Sequence, residues 1–334
     1  MPRDVGREVC STTRYCYDQA IVTDIYYFSG TGNSLFVARQ LADRLSNARL
    51  VPIVASLDAC SDNRDDDNKR APNGGASALP EPTGGERGVP ATSKSDAVGI
   101  VFPVHALTIP IVVRKFLRRF RGGGGTPYVF AVATREGTMF RGFPAMDRLL
   151  RRHGMRLDAA FILRMWNNES RHANYVVPSK EAIAAIEAEL APRFDDIADC
   201  ATARREHLVP DTEVTNPLPF GPLKNRLVES IVVGGIRLAE HIGGVQYFYA
   251  DASCTRCGIC EKVCLSGKIT SVDKAPVWRR DVLCYMCFAC LNFCPAKAVQ
   301  IKDIPGVKSF TKTNGRYPHP YATVKDIATQ KKLP

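Results

Sequence analysis

The most informative segment near the start of the chain is Ile21-Val22-Thr23-Asp24-Ile25-Tyr26-Tyr27-Phe28-Ser29-Gly30-Thr31-Gly32-Asn33-Ser34. Its first part is rich in β-branched and aromatic side chains and predicts a buried β-strand. Residues 35–45 then place apolar side chains at a period of 3.6 residues and predict a helix. A strand, a loop of glycines and hydroxyls and a helix N-terminus together form a cradle for a phosphate group, because backbone N–H groups and the helix dipole point at the anion.

The loop between this strand and this helix has no Gly-Lys-Ser/Thr of a Walker loop and no GxGxxG of a dinucleotide-binding loop. In our interpretation Ser29, Thr31 and Ser34 add hydroxyl donors. Gly30 and Gly32 permit the close approach of a phosphate. The alternative is an ordinary strand-to-helix turn rich in Ser, Thr and Gly, which the loop by itself does not exclude.

The chain beyond this loop alternates between strand-like and helix-like patterns. Further strands are predicted at 50–55, 97–102, 128–134 and 159–165, and apolar stripes with helical spacing fill the intervals between the later ones. Strict alternation predicts an α/β fold with a doubly wound parallel sheet of five strands. Ligands of such sheets bind beyond the carboxyl ends of the strands, where the loop at 29–34 lies.

The cysteines form the second decisive pattern, because 8 of the 12 lie in two runs of identical spacing. The runs are Cys254-x2-Cys257-x2-Cys260-x3-Cys264 and Cys284-x2-Cys287-x2-Cys290-x3-Cys294, the second followed by Pro295 and the first by Leu265. Three thiolates at three-residue intervals reach three irons of one 4Fe-4S cube, whereas the fourth is carried away by a helix and serves the other cube. We therefore predict one cluster on Cys254, Cys257, Cys260 and Cys294, and a second on Cys284, Cys287, Cys290 and Cys264.

Two zinc ribbons built from CxxC pairs are the alternative for these runs, but they explain the third and fourth cysteine of each run poorly. The remaining cysteines, Cys10, Cys16, Cys60 and Cys200, are predicted to be free thiols. A metal-binding pair made by Cys10 and Cys16 is the alternative for those two.

The phosphate-type loop and the double cysteine run together resemble the flavodoxin-ferredoxin fusion family of anaerobes. This resemblance implies an N-terminal flavodoxin-like FMN domain and a C-terminal bacterial-type two-cluster 4Fe-4S ferredoxin domain. It places the FMN phosphate on Ser29, Gly30, Thr31, Gly32, Asn33 and Ser34, and the flavin ring against Pro103, Val104, His105, Thr134, Arg135, Glu136 and Gly137. His105 stands where the related proteins usually carry an aromatic such as Tyr. Residues 315–320 resemble the tail of such fusions.

The resulting division of the chain is an N-terminal extension at 1–20 and a flavodoxin-like FMN domain at 21–200. A linker and packing helix follow at 201–248, a small α+β two-cluster ferredoxin-like domain at 249–302 and a basic C-terminal tail at 303–334. Residues 58–96 are predicted to be a disordered insertion, because prolines and glycines punctuate a polar tract there.

Charge and hydropathy indicate where the protein is located and what kind of partner it binds. Lys and Arg number 45 against 34 Asp and Glu, a formal net charge of +11. No apolar stretch is long enough for a transmembrane helix, and the first residues lack the apolar core of a signal peptide, so we expect a cytoplasmic protein. Basic residues cluster at 114–121, at 148–156 and in the tail. They predict a docking surface for an acidic redox protein or reductase subunit, with a solvated basic face as an equal alternative.

The predicted cofactors indicate the function, because clusters pass single electrons whereas a flavin can hold two. We expect an electron carrier or electron-input module for anaerobic reductases. The alternatives are a flavin-dependent reductase of a quinone or nitro compound and a fixed subunit of a larger redox complex. The sequence predicts no catalytic residue, and it contains neither a nicotinamide-binding fingerprint nor a nucleic-acid recognition motif.

Overall fold

The computed structural model describes residues 21–58, 95–105, 107–122, 125–137, 140–208, 247–303 and 308–333, together with scattered positions between 224 and 238. The predicted N-terminal extension with Cys10 and Cys16 lies outside the described residues. The same holds for Cys60 and for most of the predicted insertion, from 59 to 94.

A parallel sheet of six strands forms the N-terminal domain. Its strands are β1 (Thr23–Tyr27), β2 (Ala48–Pro52), β3 (Ala97–Pro103), β4 (Tyr128–Arg135), β5 (Ala159–Arg164) and β6 (His207–Leu208). They lie in the order β2-β1-β3-β4-β5-β6. The first five follow the order 2-1-3-4-5 of flavodoxin-like doubly wound sheets, so the predicted fold class is confirmed.

Helices cover both faces of this sheet. They are α1 (Asn33–Ala42), α2 (Ile53–Asp58), α3 (Ile111–Arg119), α4 (Phe143–Arg151) and α5 (Lys180–Thr202). One buried apolar cluster joins α1 and α5 to the sheet, and another joins α2, α3 and α4 to the opposite face. Because β1, β3 and β4 are parallel neighbours, the loops that follow them lie together at the edge formed by the carboxyl ends of the strands.

Two details of the sheet differ from the prediction. The second strand ends at Pro52, and the apolar residues from Ile53 onwards form α2 instead of continuing the strand to residue 55. A short apolar run gives no periodicity that separates a buried strand from a buried helix. The predicted count of five strands was wrong by one, because the two residues of β6 pair with Ala159 and Ala160 of β5.

The C-terminal domain consists of two antiparallel strand pairs and two short helices. β7 (Phe248–Ala250) pairs with β10 (Val299–Ile301), and β8 (Ile269–Val272) pairs with β9 (Ala275–Trp278). The helices are α6 (Ile259–Lys262) and α7 (Ala289–Asn292). The cysteine repeat is visible in the backbone, since positive φ recurs thirty residues apart in the pairs Arg256 and Met286, Gly258 and Phe288, and Gly267 and Lys297. The predicted small α+β domain is confirmed.

The two domains share one hydrophobic core. Val263, Leu265 and Ala289 of the C-terminal domain are buried in the same apolar cluster as the face of the sheet that carries α2, α3 and α4. Ile327 joins them from α8 (Val324–Thr329), the helix near the end of the chain. Leu265, which stands where the second cysteine run has Pro295, is thus a core residue at the domain interface.

Most of the predicted linker and packing helix at 201–248 lies outside the described residues. The described positions 230–235 are helical. However, the apolar side chains of Leu227, Ile231 and Leu238 are 61–64% exposed. Over the described residues, no helix combines the length and the apolar character needed to span a membrane.

Candidate cofactor site

The loop after β1 leads into an open helix N-terminus. Gly32 adopts φ 107° and α1 begins at Asn33. Among the described residues no side chain caps this end of the helix, and its first turn contains no acidic residue. The first N–H groups of α1 therefore face neither a side-chain acceptor nor a repelling carboxylate, which fits an anion.

The C-terminal segment lies directly on this loop. The Ser29 N–H donates to Oε1 of Gln330 (3.0 Å), and Nε2 of Gln330 donates back to the Ser29 carbonyl (2.7 Å). The N–H of His319 donates to the Thr31 carbonyl (2.7 Å). An ion pair between Arg39 and Asp326 fastens α8 to α1. Nothing in the residue pattern predicted a contact between Gln330 and this loop. The described part of the predicted basic tail therefore packs over the loop.

Both glycines of the loop lie in close contact with other parts of the chain. A Cβ atom on Gly30 would overlap the carbonyl oxygen of Cys287 and lie 2.7 Å from its Cβ. A Cβ on Gly32 would overlap Ala322 and lie 2.7 Å from the Cβ of His319. Their missing side chains thus make room for the cysteine domain and the C-terminal segment, which are in contact with the loop.

Residues after β5 complete the surroundings of the loop. Nδ2 of Asn168 donates to the Thr31 hydroxyl, and Nδ2 of Asn33 donates to the Trp166 carbonyl (2.8 Å). Oδ1 of Asn33 is buried and has no hydrogen-bond partner among the described residues. This orphaned acceptor and the uncapped helix end leave polar groups that a bound cofactor would satisfy.

The residues predicted to contact the flavin ring after β4 do not all lie in one place. Thr134 shares a 2.8 Å hydrogen bond with Ser34, so it lies beside the phosphate-type loop. Arg135 and Gly137 are buried, and the side chain of Glu136 is exposed. The structure therefore brings Thr134 to the loop and directs Glu136 toward solvent.

The residues predicted to contact the ring after β3 border the cysteine domain. Pro103 and Val104 are half-buried, and His105 closes a turn with Thr108 through two backbone hydrogen bonds of 2.9 and 3.1 Å. Burial lowers the pKa of His105 to about 4, so its imidazole is neutral at physiological pH. The Phe28 ring lies 5.9 Å from the His105 ring and 6.3 Å from the ring of Tyr285. The sequence did not indicate Tyr285, which follows Cys284 directly.

The eight cysteines fall into two groups of neighbours. The pKa of Cys260 is raised to about 11. Burial is the largest cause, and the adjacent thiols of Cys294, Cys254 and Cys257 contribute to the increase. We call these four residues the outer cysteine set, because Cys257 is exposed and Cys254 and Cys294 are half-buried.

Burial also raises the pKa of Cys287 to about 12, with additional effects from Cys284 and Cys264. Cys290 likewise has these three cysteines as neighbours, together with Cys260 of the outer set. We call Cys264, Cys284, Cys287 and Cys290 the inner cysteine set, because its member Cys287 is packed against Gly30. Each set holds the four residues that we predicted for one cluster.

Within the described part of the chain, no three His, Cys, Asp or Glu side chains converge as ligands of a single metal ion. In a 4Fe-4S cube each thiolate binds its own iron, so its ligands are spread around the cluster. Polar groups also reach the inner set, since the Met286 N–H donates to the Cys284 sulfur (3.4 Å). The Ser266 hydroxyl lies 3.7 Å from the sulfur of Cys264.

Part of the predicted basic surface is interior. Arg114 is buried in α3, and Arg316 donates hydrogen bonds to the carbonyls of Thr311 (2.9 Å) and Val299 (3.1 Å). A run of basic residues does not reveal which members point inward, and neither of these two is fully exposed on a docking face.

The two basic clusters at 114–121 and 148–156 lie on and directly after α3 and α4, which are neighbouring helices. Nη1 of Arg121 lies 2.9 Å from Nε2 of His153, between the two helices. Arg118 is exposed, whereas Arg151 pairs with Asp147 (2.7 Å). The exposed positive charge of this face is therefore smaller than the sequence suggested.

One protein-family model matches the C-terminal domain. Residues 253–299 match the family described as 4Fe-4S dicluster domain. No curated protein matches the chain.

Three solved structures are similar to the N-terminal part. A putative flavoprotein from Bacteroides uniformis is 19% identical over 45% of this chain and 94% of its own, with a TM-score of 0.28. A Streptococcus pneumoniae flavodoxin is 13% identical over 54% and 98%, with a TM-score of 0.28. Rubredoxin oxygen:oxidoreductase from the anaerobe Desulfovibrio gigas is 16% identical over 55% and 38%, with a TM-score of 0.31.

These TM-scores are low, so the fold assignment rests on the strand order of the sheet and not on the three structures. The C-terminal assignment rests on the family match and the repeated cysteine spacing. The chain thus joins a doubly wound sheet with the flavodoxin strand order to a 4Fe-4S dicluster domain, and its chemistry is electron transfer.

Proposed function

We propose that the protein passes electrons between two 4Fe-4S clusters and one FMN, as a carrier or electron-input module for anaerobic reductases. The observation that carries this proposal is the contact between Gly30 and Cys287. It joins the phosphate-type loop to a ligand of the inner cluster without any intervening residue. Two redox groups held by these segments would be neighbours.

The residues that would hold the FMN phosphate are Ser29, Thr31, Asn33 and Ser34, with the backbone N–H groups at the start of α1. Val104 and His105 would border the flavin ring. The clusters supply one-electron transfer, and the flavin supplies a site that takes up two electrons. Because His105 is neutral at physiological pH, it would place no positive charge beside the ring.

The two cysteine sets have distinct places in this function. The outer set includes the exposed Cys257 and would exchange electrons with other proteins. The inner set lies against the loop and would connect the outer cluster to the flavin. Clusters in this arrangement form a short path from the surface to the sheet.

The test of this function is the cofactor content of the anaerobically purified protein. We expect about eight iron and eight sulfide per chain, and about one FMN released on denaturation. Thr31→Ala and Asn33→Ala should each weaken FMN binding about ten- to hundredfold, because a hydrogen bond to a charged group contributes about 1.5–3 kcal/mol. Both variants should keep their iron.

The control for these variants is Ser56→Ala in α2. It removes a buried hydroxyl that donates to the carbonyl of Pro52. Its FMN affinity should equal that of the wild type. FAD in place of FMN, or no flavin after reconstitution, would refute the flavin part of the proposal. Zinc in place of iron would refute the cluster part.

We further propose that the partner is an acidic redox protein that docks on the exposed basic residues of α3. The Nζ of Lys115 lies 5.9 Å from the centre of the Tyr285 ring, so this face of α3 continues to the inner cysteine set. Association through exposed charges is screened by salt, with a Debye length of about 10 Å at 0.1 M.

Reduction by such a protein should therefore slow steeply as salt is added, and Arg118→Glu should slow it further without changing the absorption spectrum. The matched control is Arg164→Glu, which reverses an exposed charge at the end of β5. Rapid, salt-insensitive reduction of a quinone or nitro compound, with no preference among protein donors, would favour the alternative of a flavin-dependent reductase.

A further inference from the structure

Lys268 is a buried cation with an unusual environment. It is 3% exposed, and its Nζ donates to the carbonyls of Arg279 and Val282, each at 2.6 Å. The neighbouring Asp281 is paired with Arg279, whose hydrogen bond lowers the pKa of that carboxyl, and the charge of Lys268 lowers it as well, so this exposed carboxylate is shared between two cations. An ammonium group buried in this way is costly unless a negative charge compensates it, and carbonyl dipoles alone do so only in part.

The internal repeat shows that the fold does not require a lysine at this place. Lys268 lies four residues after Cys264, and the matching position after Cys294 is Ala298. Ala298 is also buried, at 1% exposed. A buried methyl group thus occupies the matching position in the second half of the domain, so the repeat itself does not require a charge there.

The position of Lys268 ties it to the inner cysteine set. Its side chain starts close to Cys264 and ends on the carbonyl of Val282, two residues before Cys284. The ammonium group therefore lies on the loop that leads directly into the second cysteine run.

We propose that Lys268 is a fixed buried cation that raises the reduction potential of the cluster held by the inner cysteine set. The inference rests on the proposed function only in assuming that this set holds a cluster. Reduction transfers one electron from an external low-potential donor to the cube, and no bond forms or breaks. The ligated cube becomes more negative, and a positive charge in a poorly solvated interior stabilises that state most.

The consequence is that an electron resides more readily on the cube beside the phosphate-type loop. Surface lysines cannot supply this effect, because water and ions screen them. Lys262 is such a residue, since it is exposed although it lies only two residues before Cys264. It is therefore the matched control.

The experiment is an anaerobic redox titration of the full-length holoprotein, followed by electron paramagnetic resonance. Lys268→Gln keeps a hydrogen-bond donor without the charge, and Lys268→Ala introduces the residue of the second run. Either variant should lower the equilibrium constant for reduction of one cluster about tenfold, which corresponds to about 59 mV for one electron. Lys268→Arg and Lys262→Gln should leave both potentials near their wild-type values.

Unchanged potentials in a neutral variant with full iron content would overturn the proposal. A shift in Lys268→Arg as large as that in Lys268→Gln would also overturn it, since the charge would not be the cause. Loss of iron from both neutral variants would show that Lys268 stabilises the local structure needed for cluster binding. The proposal that it sets the reduction potential would then be wrong. Wild-type protein without clusters would instead refute the proposed function.

Discussion

Replacing Cys294 by Ala is expected to reduce the iron content from about eight to about four per chain, by removal of the outer cluster. Cys294 is the last cysteine of the second run, but its neighbours in the structure are the first three cysteines of the first run. A cluster without its fourth thiolate ligand dissociates readily, whereas the inner set keeps all four of its cysteines. Iron and sulfide analysis after anaerobic purification measures the change.

Combined replacements identify which cluster is lost. Cys294→Ala together with Cys254→Ala should still leave about four iron, because both residues belong to the outer set. Cys294→Ala together with Cys264→Ala should leave almost none. Cys200→Ala is the control, since Cys200 is a buried thiol of α5 outside both sets. Loss of all iron in the first combination would contradict the crossed ligation.

Gly30→Ala is the second substitution with a large expected effect. The added methyl group would overlap the main chain at Cys287, which cannot move without displacing the inner cysteine set. Overpacking of this kind costs about 1–3 kcal/mol, which for a domain of this size lowers Tm by about 2–12 °C. The backbone of Gly30 is not in the positive-φ region, so the overlap alone causes the loss.

Gly125→Ala provides the comparison, because a Cβ at Gly125 would meet nothing within 4 Å. Thermal unfolding of the two variants and the wild type, followed under identical anaerobic conditions, measures the difference. A Gly30→Ala protein as stable as Gly125→Ala would contradict the close packing of the loop on the cysteine domain.

The architecture was predictable from the sequence because its signals are local and strong. The apolar run that ends at Phe28 and the loop of glycines and hydroxyls after it identified β1 and the start of α1. The repeated cysteine spacing identified the second domain and the two sets of neighbours. The strand β6 was not predictable, because two residues such as His207 and Leu208 carry no periodicity.

The cover of the loop was harder to predict, since its partners are distant in sequence. Ser29 and Gln330 are about three hundred residues apart and make two hydrogen bonds. Neither residue type nor spacing points to such a pair. The burial of Arg114 was missed for a related reason, because a run of charges along a helix does not state which side faces the core.

The decisive measurement is the rate at which electrons pass from the clusters to the flavin. Holoprotein is mixed anaerobically with a reduced low-potential protein donor, and flavin absorbance is followed in the wild type and in Cys264→Ala, which lacks a proposed ligand of the inner cluster. We expect rapid flavin reduction in the wild type and far slower reduction in a Cys264→Ala protein that retains its FMN and its outer cluster. Equal rates in the two proteins would refute electron transfer through the inner cluster.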